Sequence, residues 1–129
     1  MIGLFLVTHG TLGEALIQCV CHVLDKRPPL LGQLGLSAGE DPADALPLAR
    51  RMIATVDDGE GVLLLADLYG ATPCNVATRL IEPGRIELVA GVNLPMLLRL
   101  LTHRDGDLDT LVRRVVGGAG DGVTRVQPG

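Results

Sequence analysis

Aromatic residues are almost missing from this chain of 129 residues, in which Phe5 and Tyr69 are the only two. The core must therefore be built from aliphatic side chains, and no series of rings is present on which bases could stack. Lysine is equally scarce, since Lys26 is the only one, and the formal net charge is -4. Such a chain lacks the basic surface that tracks a phosphate backbone, so no nucleic acid is expected as a partner.

Cysteines and long apolar runs are also few. Cys19, Cys21 and Cys74 are odd in number and lack the C-x-x-C spacing of a zinc site or a redox dithiol, so we interpret them as reduced core residues of a cytoplasmic protein. Arg99 interrupts the apolar stretch from Leu94 to Leu101, which leaves no run long enough for a membrane span. The composition therefore predicts one domain over residues 1–129, without direct membrane insertion.

Apolar runs alternate with amphipathic stretches along the chain. Four buried strands are predicted, at Leu4 to Val7, Leu30 to Leu36, Val62 to Ala66 and Ile86 to Ala90. Between and after them come helical patterns, over Leu12 to Val23, Pro42 to Val56, Pro73 to Ile81, Met96 to Thr102 and Leu108 to Val115. Regular alternation predicts a doubly wound α/β fold, with a mostly parallel sheet of order 2-1-3-4 and helices on both faces.

Three details of these elements can be checked against a structure. The inward face of the first helix is predicted from six apolar residues at helical spacing, Leu12, Ala15, Leu16, Cys19, Val20 and Val23. Thr72 is expected to cap the third helix, with Pro73 in the first helical position. Pro47 is expected to distort the early turns of the second helix.

A glycine-rich segment, 117–122, precedes a short apolar stretch from Val123 to Val126. It superficially suggests a dinucleotide-binding loop, but it follows a helix and precedes a strand, the reverse of the order that this motif requires. We therefore interpret the glycines as a hinge and Val123 to Val126 as a short strand.

Polar side chains follow the predicted strands where each one ends. His9 follows the first strand after Thr8, Asp67 and Thr72 follow the third strand, and Asn93 follows the fourth. Parallel strands present their carboxyl ends at one edge, and in the order 2-1-3-4 the first and third strands are neighbours there. A histidine that merely caps a strand is the structural alternative, but His9 and Asp67 are expected to face each other across the crevice.

That pairing predicts a particular chemistry. A carboxylate that accepts a hydrogen bond from one imidazole nitrogen fixes the tautomer and leaves the other nitrogen free as a nucleophile. Asp67 would orient His9 and offset its positive charge when the ring is phosphorylated. No lysine or arginine lies in these loops, so the phosphate cradle is expected to consist of helix N-termini at Gly10, Thr11, Gly70 and Ala71, with the Thr72 hydroxyl. No metal or other cofactor is expected.

Three motifs carry a family resemblance: Thr8-His9-Gly10, the segment Asp67–Asn75 (D-L-Y-G-A-T-P-C-N) and the segment Ala90–Met96 (A-G-V-N-L-P-M). Together they resemble the IIA domain of the mannose-type sugar phosphotransferase system, and the resemblance extends over nearly the whole chain. It implies that His9 accepts a phosphoryl group on Nε2 from the phosphocarrier protein HPr and passes it to a IIB component. Asp67 would bind Nδ1 and Thr72 would line the site.

The resemblance also implies a homodimer in which the strand Val123 to Val126 is exchanged between subunits and pairs antiparallel. Tyr69, Asn75 and Asn93 are expected at the rim of the site, where a partner would bind. The chain departs from the usual family pattern at Ala71, Thr72 and Cys74, where glycine, serine and phenylalanine are more frequent. Thr72 keeps the hydroxyl, so the chemistry should survive.

Two alternatives remain beside a transport role. The chain ends at Gly129 without a fused IIB domain, so it is expected to serve a separate transporter or, alternatively, to signal through its phosphorylation state to a regulatory target. Thr8-His9-Gly10-Thr11 also superficially resembles the start of the histidine phosphatases. Thr8 stands where that family has its phosphate-binding arginine, which makes this second alternative remote.

Overall fold

Buried apolar strands form the centre of the molecule, as the sequence predicts. The computed structural model describes residues 1–129 and contains an all-parallel sheet of order β2-β1-β3-β4. The strands are β1 (Gly3–His9), β2 (Leu31–Leu36), β3 (Val62–Ala66) and β4 (Ile86–Ala90). The helices are α1 (Leu12–Leu24), α2 (Pro42–Ala54), α3 (Thr72–Thr78), α4 (Leu94–Leu101) and α5 (Leu108–Gly117), followed by a 3₁₀ turn at Ala119–Gly122. The predicted strand order and fold class are confirmed.

Two separate cores lie on the two faces of this sheet, because successive side chains of a strand point to opposite faces. Leu4 and Leu6 pack against α1, α4 and α5, whereas Phe5 and Val7 pack against α2 and α3. In β1 only the last residue, His9, is exposed. The central strand therefore delivers its histidine to the surface at the carboxyl edge of the sheet.

The inward face of α1 agrees only in part with the predicted one, since Val20 is buried and Leu16 half-buried as expected. Its buried residues are Gly13, Ile17 and Val20, while Leu12 and Val23 are 42% and 55% exposed. The reason is the close approach of α1 to the sheet at Gly13, where an added Cβ would lie 3.1 Å from Thr8 Oγ1. A glycine that faces the sheet fixes the rotation of the helix, and the apolar period alone does not reveal it.

That rotation also corrects the interpretation of one cysteine. Cys19 lies on the outward face of α1 and is exposed, so it is not a core residue. Cys21 is half-buried and Cys74 is buried. The expectation for Cys74 is confirmed, and the one for Cys19 is wrong.

Helix α3 begins one residue earlier than predicted. Ala71 occupies the N-cap position, Thr72 is the first helical residue and Pro73 the second. The N–H of Asn75 donates to the Ala71 carbonyl at 2.9 Å, which closes the first turn there. No side-chain cap forms, so the prediction that Thr72 caps this helix is wrong.

Helix α2 contains Pro47 without interruption, so the expected distortion does not break the helix. No helix of the molecule combines the length and apolar character that crossing a bilayer requires.

The C-terminal segment does not form a strand in the single chain. Helix α5 extends through Gly117, and Asp121 is held by Arg99 Nη1 at 3.2 Å. Val123 and Val126 follow in irregular, exposed backbone, 80% and 86% exposed. The glycine segment is thus partly helical, not an open hinge. Residues 123–126 pair with no strand of their own chain, so the exchange of this segment between subunits stays a prediction.

Candidate functional site

A histidine and an aspartate form a close pair where β1 and β3 end. His9 Nδ1 lies 2.7 Å from Asp67 Oδ2, and the backbone N–H of His9 donates to the same oxygen at 3.0 Å. The other carboxylate oxygen, Oδ1, accepts from the Leu68 N–H at 3.0 Å. The Asp67 side chain is only 10% exposed, whereas that of His9 is 54% exposed. Three hydrogen bonds thus fix the carboxylate, and the imidazole ring that it binds is exposed to solvent.

The protonation of this pair follows from its electrostatics. Burial of Asp67 favours its neutral form, but hydrogen bonds from the backbone N–H and the ring of His9, together with the charge of that ring, outweigh burial and lower the pKa of the carboxyl below its usual value. An ionised carboxylate only accepts hydrogen bonds, so the close Nδ1 atom is the donor and carries the proton. In the neutral ring the lone pair then resides on Nε2, the nitrogen that does not face Asp67.

The turn after His9 is fixed by contacts that the sequence did not reveal. Thr8 is fully buried, and its Oγ1 accepts from the Gly13 N–H at 2.9 Å, which ties strand β1 to the first turn of α1. Gly10 takes a left-handed conformation with φ +50, and its N–H donates to the Leu36 carbonyl at 2.9 Å. The Gly10 carbonyl packs so tightly over Gly35 that a Cβ there would overlap it. The neighbouring strand β2 therefore holds the histidine turn in place.

A cavity of about 330 Å³ opens beside the ring of His9. It is lined by residues from three strand ends, namely His9, Gly10, Leu36, Ser37, Ala38, Gly39, Glu40, Thr72 and Pro73. The structure thus brings Thr72 to the site of His9, as the sequence predicts, and no lysine or arginine lines the cavity. The loop Ser37–Glu40 is a wall that the sequence analysis missed. The predicted order 2-1-3-4, which places the end of β2 beside that of β1, could have revealed it.

The residues of the expected cradle differ in what their backbone N–H groups can do. The N–H of Gly10 donates to Leu36, and that of Ala71 donates to the Leu68 carbonyl at 3.3 Å. The N–H groups of Thr11 and Gly70 have no acceptor within the chain. Two of the four expected positions therefore offer a free donor at this edge.

The three residues expected at the rim, Tyr69, Asn75 and Asn93, do not line the His9 cavity. Tyr69 is 87% exposed and follows Asp67 by two residues. Asn75 is exposed on α3 and donates to the Gly70 carbonyl at 3.3 Å. Asn93 caps α4, where its Oδ1 accepts from the Met96 N–H at 2.9 Å, and it does not line the His9 cavity. Nowhere do three His, Cys, Asp or Glu side chains converge as a metal shell.

The doubly wound domain thus presents an exposed histidine, bound by an ionised aspartate, at the switch point of its sheet. Comparison with known proteins identifies the family. The family model EIIA-man, described as "PTS system fructose IIA component", matches residues 3–116. The chain therefore belongs to the mannose-type IIA components of the sugar phosphotransferase system.

Curated relatives agree with this assignment. The mannose-specific EIIAB component of Escherichia coli K12 is 32% identical over 125 residues, which cover 95% of this chain but only 38% of that protein. The fructose-specific EIIA component of Bacillus subtilis 168 is 29% identical over 106 residues, or 81% of this chain and 72% of the relative. The chain thus spans little more than a third of the mannose-specific relative.

Solved structures have the same fold. A phosphotransferase system component EIIA from Streptococcus agalactiae superposes with a TM-score of 0.83 at 25% identity, over 97% of each chain. The mannose/sorbose-specific IIA subunit from Enterococcus faecalis superposes with a TM-score of 0.85 at 23% identity, over 99% of this chain and 96% of that one. The second likeness supports the fold alone.

Proposed function

We propose that this protein carries a phosphoryl group on His9 Nε2, taking it from the phosphohistidine of HPr and passing it to a IIB component for sugar uptake. The observation that carries the proposal is the bond of 2.7 Å between His9 Nδ1 and Asp67 Oδ2. It holds the proton on Nδ1 and leaves the Nε2 lone pair as the nucleophile in an exposed ring.

The proposed step balances without a cofactor. Nε2 attacks the phosphorus of the donor's phosphohistidine, the new P–N bond forms as the donor's P–N bond breaks, and the donor imidazole leaves with that electron pair. The His9 ring becomes positively charged, and the ionised Asp67 beside it stabilises that charge. In the second transfer a nucleophile of the IIB component attacks the phosphorus, the P–Nε2 bond breaks as the new bond forms, and the His9 imidazole leaves with that electron pair. Asp67 holds the His9 ring in both steps.

Neutral groups would receive the phosphoryl oxygens. We assign this role to the Thr72 hydroxyl, which lines the cavity, and to the N–H groups of Thr11 and Gly70, which have no acceptor within the chain. Each helix dipole contributes only about 0.3–1 kcal/mol at an exposed terminus. A cradle without lysine or arginine binds the group weakly, which suits a carrier that must release it.

The surface around the site fits a protein partner. Leu68 and Tyr69 are 60% and 87% exposed and directly follow Asp67, so two large side chains are exposed in the loop that begins at the partner of His9. Exposed apolar side chains beside a reactive group are typical of a docking surface for another protein. A regulatory target that binds this face in one phosphorylation state would use the same surface, which makes it the second candidate function.

The test is labelling with radioactive phosphoenolpyruvate in the presence of enzyme I and HPr. We expect an acid-labile, base-stable phosphoryl group on the wild type and none on His9→Ala. His22→Ala is the matched control, because His22 is an exposed histidine on α1, outside the His9 cavity, and it should be labelled like the wild type. Undiminished labelling of His9→Ala would refute the proposal.

A second experiment separates the two candidate functions. The phosphorylated and unphosphorylated forms are each used to capture partners from the source cell. Capture of a IIB protein, followed by transfer of label to it, supports the transport role. Transfer of no label to any IIB protein, with capture of another target by one form alone, supports the regulatory role.

A further inference from the structure

A groove at the opposite edge of the sheet from His9 contains cations that no carboxylate neutralises. It has a volume of about 480 Å³ and lies between the end of α2 and the segment that joins α3 to β4. Ile86 is the first residue of β4, whereas His9 is the last residue of β1, so a strand of five residues at about 3.3 Å per residue separates the two sites. The groove is therefore distinct from the phosphoryl-transfer site.

Three arginines face this groove, in a chain that is acidic as a whole. Arg85 is neutralised, since its Nη2 lies 2.9 Å from Asp57 Oδ2 and its Nε lies 3.9 Å from Glu82 Oε2. Arg50 and Arg79 form no ion pair and no side-chain hydrogen bond within the chain. Two guanidinium groups are thus available to an anion.

The floor of the groove contains apolar side chains. Ile53, Leu80 and Ile86 line the groove and are each no more than 6% exposed. The turn that carries Arg85 is closed by backbone bonds of 2.8 Å, from the N–H groups of Arg85 and Ile86 to the Glu82 carbonyl. Five of the ten lining residues are charged, and the volume of the groove is that of sites that bind small molecules.

The charges select the kind of ligand. Each guanidinium group offers a planar fork of N–H donors that matches a phosphate, and three arginines against two carboxylates leave the groove with a net positive charge that favours an anion. A phosphate alone fills only part of the groove. Beyond the arginines, the carboxylate of Glu82, which is 59% exposed, can accept hydrogen bonds from hydroxyl groups.

From these observations we propose that the groove binds a small hydroxylated phosphate monoester, with Arg50 and Arg79 on the phosphate and Glu82 on a hydroxyl group. The site is independent of the proposed phosphoryl transfer at His9. It gives the protein a means of sensing a phosphorylated metabolite at a distance from the histidine.

Calorimetric titration at physiological salt tests this site. The probes are glucose 6-phosphate, fructose 1-phosphate and glycerol 3-phosphate, with inorganic phosphate and glucose as partial ligands. We expect at least one monoester to bind more tightly than inorganic phosphate, and glucose not to bind. Failure of all three monoesters to bind at about 10 mM, which corresponds to less than about 3 kcal/mol of binding free energy, would overturn the proposal. Equal affinity for inorganic phosphate would overturn the inference that the groove recognises the hydroxylated organic part of the ligand.

Variants locate the binding. Arg50→Gln and Arg79→Gln should each weaken binding about tenfold or more, since each removes charge-assisted hydrogen bonds to the phosphate. Arg51→Gln is the matched control, because Arg51 is an exposed neighbour on α2 that does not line the groove, and its affinity should equal that of the wild type. His9→Ala should also bind normally. Loss of binding in His9→Ala, or an equal loss in Arg51→Gln, would contradict the assignment.

Discussion

Asp67→Asn removes one negative charge while it keeps nearly the same shape, so it isolates what the carboxylate contributes to His9. Asp67 Oδ2 accepts from two donors of His9, and Oδ1 accepts from the Leu68 N–H. Asparagine has a single side-chain oxygen. If that oxygen faces His9, its NH₂ group meets the Leu68 N–H. If the amide is flipped, Nδ1 must become an acceptor and the proton moves to Nε2.

Either arrangement weakens the nucleophile. The lost interaction is a charge-assisted hydrogen bond at 2.7 Å, and such bonds contribute about 1.5–3 kcal/mol. If that contribution acts on the charged ring that forms during transfer, the rate of phosphoryl transfer falls about 10- to 150-fold. The fold should persist, because the substitution is nearly isosteric.

Rapid-quench measurement of transfer from phosphorylated HPr gives this rate directly. Asp109→Asn is the control, because Asp109 is 69% exposed on α5 and pairs only with Arg113. It should transfer at the wild-type rate. A rate for Asp67→Asn within about twofold of the wild type, in a protein with an unchanged circular dichroism spectrum, would refute the role of the carboxylate.

Three further predictions concern the support of the site and the fold. Gly35→Ala places a methyl group on the Gly10 carbonyl, so it should lower the free energy of unfolding in urea by about 1–3 kcal/mol and slow phosphoryl transfer. Gly117→Ala is the control, because its added Cβ meets no atom within 4 Å, and it should change neither quantity. A wild-type rate of transfer by Gly35→Ala would contradict this prediction. Arg104→Ala should cost about 3 kcal/mol or more, because the buried guanidinium donates to the carbonyls of Ile2, Pro29 and Leu30, whereas the exposed Arg114→Ala should cost under about 0.5 kcal/mol. The folded pKa of Asp67 is depressed, so its contribution to the free energy of unfolding is complete above its unfolded pKa of about 3.9 and disappears as the pH falls through the folded value. The stability gap between the wild type and Asp67→Asn should therefore persist at about pH 5 and begin to close only below about pH 3.9, and a gap that has already closed at about pH 5 would contradict the assignment.

The strands and the central pair were predictable from the sequence because their signals are local. Val62–Ala66 is a continuous apolar run, and its bounds agree with those of β3. His9 and Asp67 follow such runs, so the parallel order alone places them side by side. A continuous apolar run indicates a strand that is buried on both faces, and such strands are typical of a parallel sheet covered by helices.

The parts that could not be predicted depend on contacts between distant segments. The rotation of α1 is decided by Gly13 against Thr8, and the turn at Gly10 is held by Leu36 and Gly35 of another strand. Glycine carries no hydrophobic signal, so a pattern of apolar residues misses such contacts. The wall at Ser37–Glu40 was missed for a different reason, since it contains no residue that suggests chemistry.

The most direct test of the account is the identity of the phosphorylated atom. Long-range ¹H–¹⁵N NMR correlation of the phosphorylated protein, with ¹⁵N-labelled histidine, distinguishes phosphate on Nε2 from phosphate on Nδ1. We predict one modified ring, that of His9, with phosphorus on Nε2 and a proton on Nδ1. Phosphorus on His9 Nδ1, or on the ring of His22 or His103, would contradict the assignment of the His9–Asp67 pair.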